Sequence, residues 1–198
     1  MSFKSIRLPL TLAALVPLMA ASTRAPLDLQ PESKLTISGT STVRAFQCQA
    51  SAFDAKVESS GSGAVAAILA GEKAVSSVLV TVPAEKLDCR NGTMNEHMRK
   101  ALKADQFASI VFKVDSYDLA TGTDGVAVKL NGTLTLGGVE KPITVTALAK
   151  AGENGTLLVS GTQDVRMTEF GLKPPTLMLG TMKVGERIKV GFDVVLKD

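Results

Sequence analysis

The side chains able to do chemistry are few and poorly grouped: one histidine, His97, and two cysteines, Cys48 and Cys89, in 198 residues. Nucleophilic or acid–base catalysis needs a base within hydrogen-bond reach of its partner, and no GxSxG, HExxH, Walker or GxGxxG pattern supplies one. One imidazole and two cysteines, with carboxylates scattered along the chain, give no ligand set at metal spacing. No catalytic residue, metal ligand or cofactor is therefore assigned, and His97 reads as a histidine bonded at the edge of a core. The cysteines lack CxxC spacing, which disfavours a redox pair. In an exported chain two cysteines pair, so Cys48–Cys89 is read as a structural staple.

Export is inferred from the first stretch. Lys4 and Arg7 precede an apolar run, Leu8 to Ala21, that ends in small residues near Ser22, the order of a secretory signal. The reading is a signal peptide over 1–22, a flexible leader over 23–33 with Pro26 and Pro31, and one domain over 34–198, periplasmic or secreted. The run is too short and too interrupted by proline for stable membrane insertion. The formal charge is +3, and removal of Lys4 and Arg7 with the signal takes two of those charges and leaves +1. With no basic cluster, a nucleic-acid partner is unsupported.

Most of what remains reads as strands arranged about one helix. Met94, His97, Met98, Ala101 and Leu102 share one face of a 3.6-residue period, which predicts a short amphipathic helix near 93–104, with Thr93 and Glu96 as a capping box. A shorter apolar run, Ala64 to Ala70, fits strand and helix equally. Elsewhere apolar and polar residues alternate, with a phase slip near Ala52 and turns at Gly137-Gly138 and Asn154-Gly155. Asn131-Gly132 falls mid-strand, where Gly marks a bulge or a close contact. One apolar face and a single helix to cover it predict an all-β fold, a single eight-stranded antiparallel barrel.

The inward faces are dominated by Val, Ala and Gly, a lining that underfills the tube and leaves an apolar channel suited to a lipid tail. The candidate ligand-binding residues are Phe46, Phe112, Leu134, Val145, Ala147, Val165, Phe170 and Phe192. A barrel filled by its own side chains is the alternative. The apolar stretch with Met167, Phe170, Leu172, Leu177, Met178, Leu179 and Met182 would line the barrel mouth, form a contact between two copies in a homodimer, or pack over an open end as core.

In Ser38-Gly39-Thr40-Ser41-Thr42-Val43, the helix from Met94 to Ala104, Ile110-Val111-Phe112, Gly132-Thr133-Leu134-Thr135-Leu136-Gly137-Gly138-Val139, Phe170-Gly171 and Val184-Gly185-Glu186, the chain resembles the YceI-like family of exported, polyisoprenoid-binding, lipocalin-like proteins. The likeness covers roughly 34–197. Gly137-Gly138 stands where family members often carry His, so no role for that imidazole transfers. The resemblance implies an extended barrel whose interior holds a long isoprenoid chain. The expected function is a non-enzymatic carrier or sequestering protein for an amphiphilic isoprenoid, a polyprenyl lipid or quinone-like molecule. A ligand-free scaffold or stress-related interaction domain is the second reading.

Overall fold

The structure, a computed structural model, describes residues 25–177 and 181–198; the signal segment read over 1–22 lies outside them. Twelve strand segments follow in order: β1 Pro26–Leu29, β2 Lys34–Ser41, β3 Ala45–Ala50, β4 Asp54–Ser59, β5 Val75–Pro83, β6 Leu87–Asp88, β7 Ser109–Gly122, β8 Gly125–Leu136, β9 Val139–Ala151, β10 Leu157–Arg166, β11 Thr176–Leu177 and β12 Met182–Lys197. Two helices interrupt them, α1 Ala64–Leu69 and α2 Gly92–Ala101.

The pairings are antiparallel and they close. Because β1 pairs both β4 and β12, the segments β1, β4, β5, β7, β8, β9, β10 and β12 form an eight-membered ring, the barrel expected from the alternation. Of the four remaining segments β11 pairs with the start of β12, and the other three lengthen staves of the ring. Along β12, β2 continues β1; along β2, β3 continues β4; and along β3, β6 continues β5. The breaks fall at residues 30–33, 51–53 and 84–86, the second of them at the phase slip near Ala52.

One correction concerns where the barrel begins. Pro26–Leu29, inside the stretch read as a flexible leader, is β1, with Leu27 only 3% exposed. Proline lacks the amide a ladder needs, but at the first residue of a strand that loss is tolerated. Leu27 then supplies the buried contact that holds the segment down.

A second correction concerns the start of α2. Its N-cap is Asn91, whose Oδ1 accepts the Met94 amide at 2.9 Å, and Glu96 pairs forward with Lys100 at 2.7 Å instead of back to Thr93. An asparagine two residues upstream outcompetes the threonine because its carbonyl meets the third amide of the first turn. Just ahead, Asp88 accepts from the Asn95 amide and the Arg90 N–H, which together hold its carboxyl below the usual carboxylate range. Asn91→Ala should therefore cost about 1 kcal/mol, while Thr93→Ala should leave stability within about 0.5 kcal/mol. Urea midpoints of the two variants check this, and a larger shift for Thr93→Ala than for Asn91→Ala would return the cap to Thr93.

The run from Ala64 resolves as helix α1. Six residues cannot hold a helix by propensity alone, so tertiary contacts must. Ala64, Val65 and Ile68 are buried, and the Asp198 carboxylate accepts the Ala64 amide at 2.8 Å. Beside it the Ser59 hydroxyl, 1% exposed, lies 2.7 Å from the Ala25 carbonyl and 2.6 Å from that of Gly61.

The core is divided between the two ends of the barrel. At one end α2 delivers Leu102 onto Leu134, Leu136, Phe170 and Leu172. At the other, α1 packs Val65 and Ile68 onto Leu27, Val126, Leu157 and Leu196. The first end is closed partly by the start of the apolar stretch, since Met167, Phe170 and Leu172 are buried there as core, while Met178 and Leu179 lie outside the described residues. Gly137 and Gly138, both with positive φ, make the tight β8–β9 turn against which Leu172 and Phe107 rest.

Candidate functional site

Between the two end clusters the barrel is hollow. A cavity of about 460 Å³ runs through it, lined almost wholly by apolar side chains from the staves, from α2 and from Ile68 of α1. That volume falls within the range of small-molecule pockets. Along β8 the lining extends from Leu136 at the α2 end to Val128 near the α1 end. Those eight residue-to-residue steps cover about 26 Å of strand at ~3.3 Å each, or about 20 Å along the axis at a tilt of ~40°. The space is a tube.

Its walls come from the period-two alternation: on each stave the residues of one parity face the lumen. Of the residues expected to bind a ligand, Phe46, Phe112, Leu134, Val145, Val165 and Phe192 lie on the lining. Two stand elsewhere. Ala147 has the right parity but packs with the cluster at the α1 end, while Phe170 folds into the cluster at the α2 end.

What keeps the tube open despite three phenylalanines is a set of glycines. A Cβ on Gly39 would meet the Phe46 ring at 2.7 Å, one on Gly132 would meet Phe112 at 2.9 Å, and one on Gly161 would meet Phe192 at 2.6 Å. Each ring thus lies flat on the wall over a neighbouring strand's glycine, where a side chain would lift it into the lumen. Gly132 also faces the Lys113 carbonyl at the β7–β8 bulge, the close contact that its mid-strand position suggested. Gly39 is the cleanest to test, because its Cβ would meet only the Phe46 ring. Gly39→Ala is expected to stay folded, with a urea midpoint shifted by less than about 1 kcal/mol, and to bind cargo more weakly as Phe46 swings inward. An unchanged affinity would show that Phe46 moves outward instead.

Polar groups along the tube are few, and those in the wall are satisfied. The Tyr117 hydroxyl donates to the Val75 carbonyl at 3.1 Å and accepts the Val75 amide at 3.0 Å, bridging β7 to β5 beyond Leu79↔Lys113, where their ladder stops. Among the described residues no buried side-chain polar atom lacks a partner. Apart from Tyr117 and Gln163, whose side-chain amide donates to the Asp164 carbonyl at 3.1 Å, the polar lining collects at the α2 end, from Ser41, Arg44, Asn91, Thr93 and His97. This end suits a head group and the rest of the tube a tail.

The roof over that end is α2. Met94, His97, Met98 and Ala101 face the cavity half-buried, and no residue of Gly92–Ala101 is fully buried. Its entrance is held covalently: Cys48 on β3 and Cys89, three residues before the helix, form a disulfide, and both line the cavity. His97 thus stands at the cavity's edge. Among the described residues no three His, Cys, Asp or Glu side chains come together as a metal site would require.

Sequence reasoning missed the floor. Ile68 closes the far end from a six-residue helix anchored by Asp198, a partner more than a hundred positions away. The bracketing Gly63 and Gly71, both at positive φ, were the one local signal of a helix between them.

The model of the YceI-like domain matches residues 30–196. No curated protein matches the chain. Among solved structures, Burkholderia cenocepacia BcnA superposes with a TM-score of 0.67 at 17% identity, over 85% of this chain and 99% of that one. A polyisoprenoid-binding domain from Saccharophagus degradans, implicated in plant cell wall breakdown, gives 0.62 at 12% identity over 87% and 97%. The Campylobacter jejuni YceI protein gives 0.56 at 18% over 76% and 84%. At these identities the likeness is one of fold.

Proposed function

The chain belongs to the YceI-like family, and from that premise we propose that it is an exported, non-enzymatic carrier that holds the apolar tail of an isoprenoid lipid inside its barrel. One observation carries the reading: an apolar tube about 460 Å³ in volume, closed by a helix at each end, with its polar lining gathered at one of them. Burying each CH₂ of a tail in such a space contributes about 0.8 kcal/mol, so a prenyl chain binds tightly without a polar contact. The polyisoprenoid-binding domain among the structural neighbours supports this choice of cargo. Phe46, Phe112, Leu134, Val145, Val165 and Phe192 are the residues proposed to touch the tail.

The disulfide supports a periplasmic or secreted location, because such bonds persist in oxidising compartments. The match to the YceI-like domain and the polyisoprenoid-binding structural neighbour support carriage over catalysis. Head group and tail length are left to the test. Protein purified from its native host, sprayed under native conditions and then extracted with organic solvent, should release a prenyl lipid in near-stoichiometric amount. A protein that carries no lipid and takes none up from added prenols would favour the ligand-free scaffold.

A further inference from the structure

The two ends of the tube differ in how they are held. The roof helix α2 has no fully buried residue between Gly92 and Ala101. The floor helix α1 is fixed at both of its ends. At its start the Asp198 carboxylate accepts the amides of Ala64 and Val65, at 2.8 and 3.3 Å. At its finish Gly71 turns the chain at φ 82, with the Glu72 amide donating to the Ala67 carbonyl at 2.9 Å. Within α1, Ile68 alone reaches the lining, and it is 6% exposed. Beside it Leu157 and Leu196, of the same apolar cluster, also line the floor.

We infer that Ile68 is a stop that measures the cargo's tail, so that this barrel selects linear prenyl lipids by chain length. The inference rests on the carrier reading above and adds a selectivity to it. Polar lining at the roof and apolar lining at the floor orient the cargo head up, and the tail's last carbons then meet a fixed side chain about 20 Å below the roof. Up to that depth each added carbon is buried and raises affinity about fourfold. Beyond it an added carbon finds no space, and the head group is pushed out through the loosely held roof.

The test is a length series of uncharged prenols, from geraniol through farnesol and geranylgeraniol to a long polyprenol, titrated into the full mature chain. Wild type should show affinity rising steeply with length and then levelling or falling. Ile68→Ala should move that break to longer tails and Ile68→Phe to shorter ones. Since Ile68→Ala opens space beneath a buried helix, its urea transition is recorded alongside, and Ile68→Val serves as the milder variant, with a smaller shift in the same direction. A break that stays put in folded Ile68→Phe and Ile68→Val overturns the stop while leaving the carrier intact. If no prenol of any length binds wild type, the carrier reading fails and the stop fails with it.

Discussion

Val145→Trp is expected to abolish uptake of a prenol while leaving a folded barrel. Val145 sits on β9 opposite Leu130, is 6% exposed, and lines the cavity. An indole added there projects into a space of about 460 Å³ that the protein's own side chains leave vacant. In a filled barrel the same change would overpack the interior and cost about 1–3 kcal/mol. Tail-binding and filled barrels therefore give opposite results for one variant. Val145→Phe repeats the experiment without a buried indole N–H to satisfy. Prenol titration and urea unfolding of both variants decide it, and retained binding with a clear loss of stability would remove the tail from the lumen. Ala147→Trp is no substitute, since Ala147 packs with the cluster at the α1 end and its enlargement should chiefly destabilise.

Loss of the disulfide should have the largest effect on stability. The bond joins residues 41 positions apart, and releasing a loop of that size costs about 4 kcal/mol by chain entropy. At a urea slope of ~2 kcal/mol/M the midpoint of a Cys48→Ala/Cys89→Ala double variant should fall by roughly 2 M. The loss should begin at the roof, because Cys89 is the covalent tie at the entrance of α2 and the residues that follow are only half-buried. A double variant with the wild-type midpoint would mean that the unfolded chain already holds this loop closed.

The barrel was legible where one rule acted alone. From β7 to β12 one face of each strand meets the lumen and the other meets solvent, so parity gives both the strands and their inward residues, with Phe112, Leu134, Val145, Val165 and Phe192 placed as expected. Parity fails where size or irregular backbone decides. Ala147 has the right parity yet packs with the cluster at the α1 end, and Phe170, in a 3-10 turn, has no period to aim it. The start of α2 was misplaced because Asn91 and Thr93 are both good caps, and only geometry chooses between them. Helix α1 was undecidable for a different reason: its stability comes from Asp198 and from the cluster of Leu157 and Leu196, which no local window contains.

The three breaks in the staves, at residues 30–33, 51–53 and 84–86, lie side by side on neighbouring strands. Regular pairing is replaced along that line by isolated backbone bonds, Gln30 N–H to the Val195 carbonyl, Ser51 N–H to that of Lys86 and Ala84 N–H to that of Ala108, with the Ser33 and Ser51 hydroxyls adding side-chain bonds at the first two. Such a line is expected to bend as a hinge. Above it β2, β3 and β6 form a flap, and because Cys48 sits on β3 the flap carries the entrance of α2 with it. Roof and flap should swing as one piece, parting the wall beside β7 while β8, β9 and β10 stay fixed. Deuterium uptake resolved by peptide should then appear first along the hinge and in α2, well before the amides of β8–β10. Uptake that proceeds evenly around the barrel would mean that cargo enters by some other route.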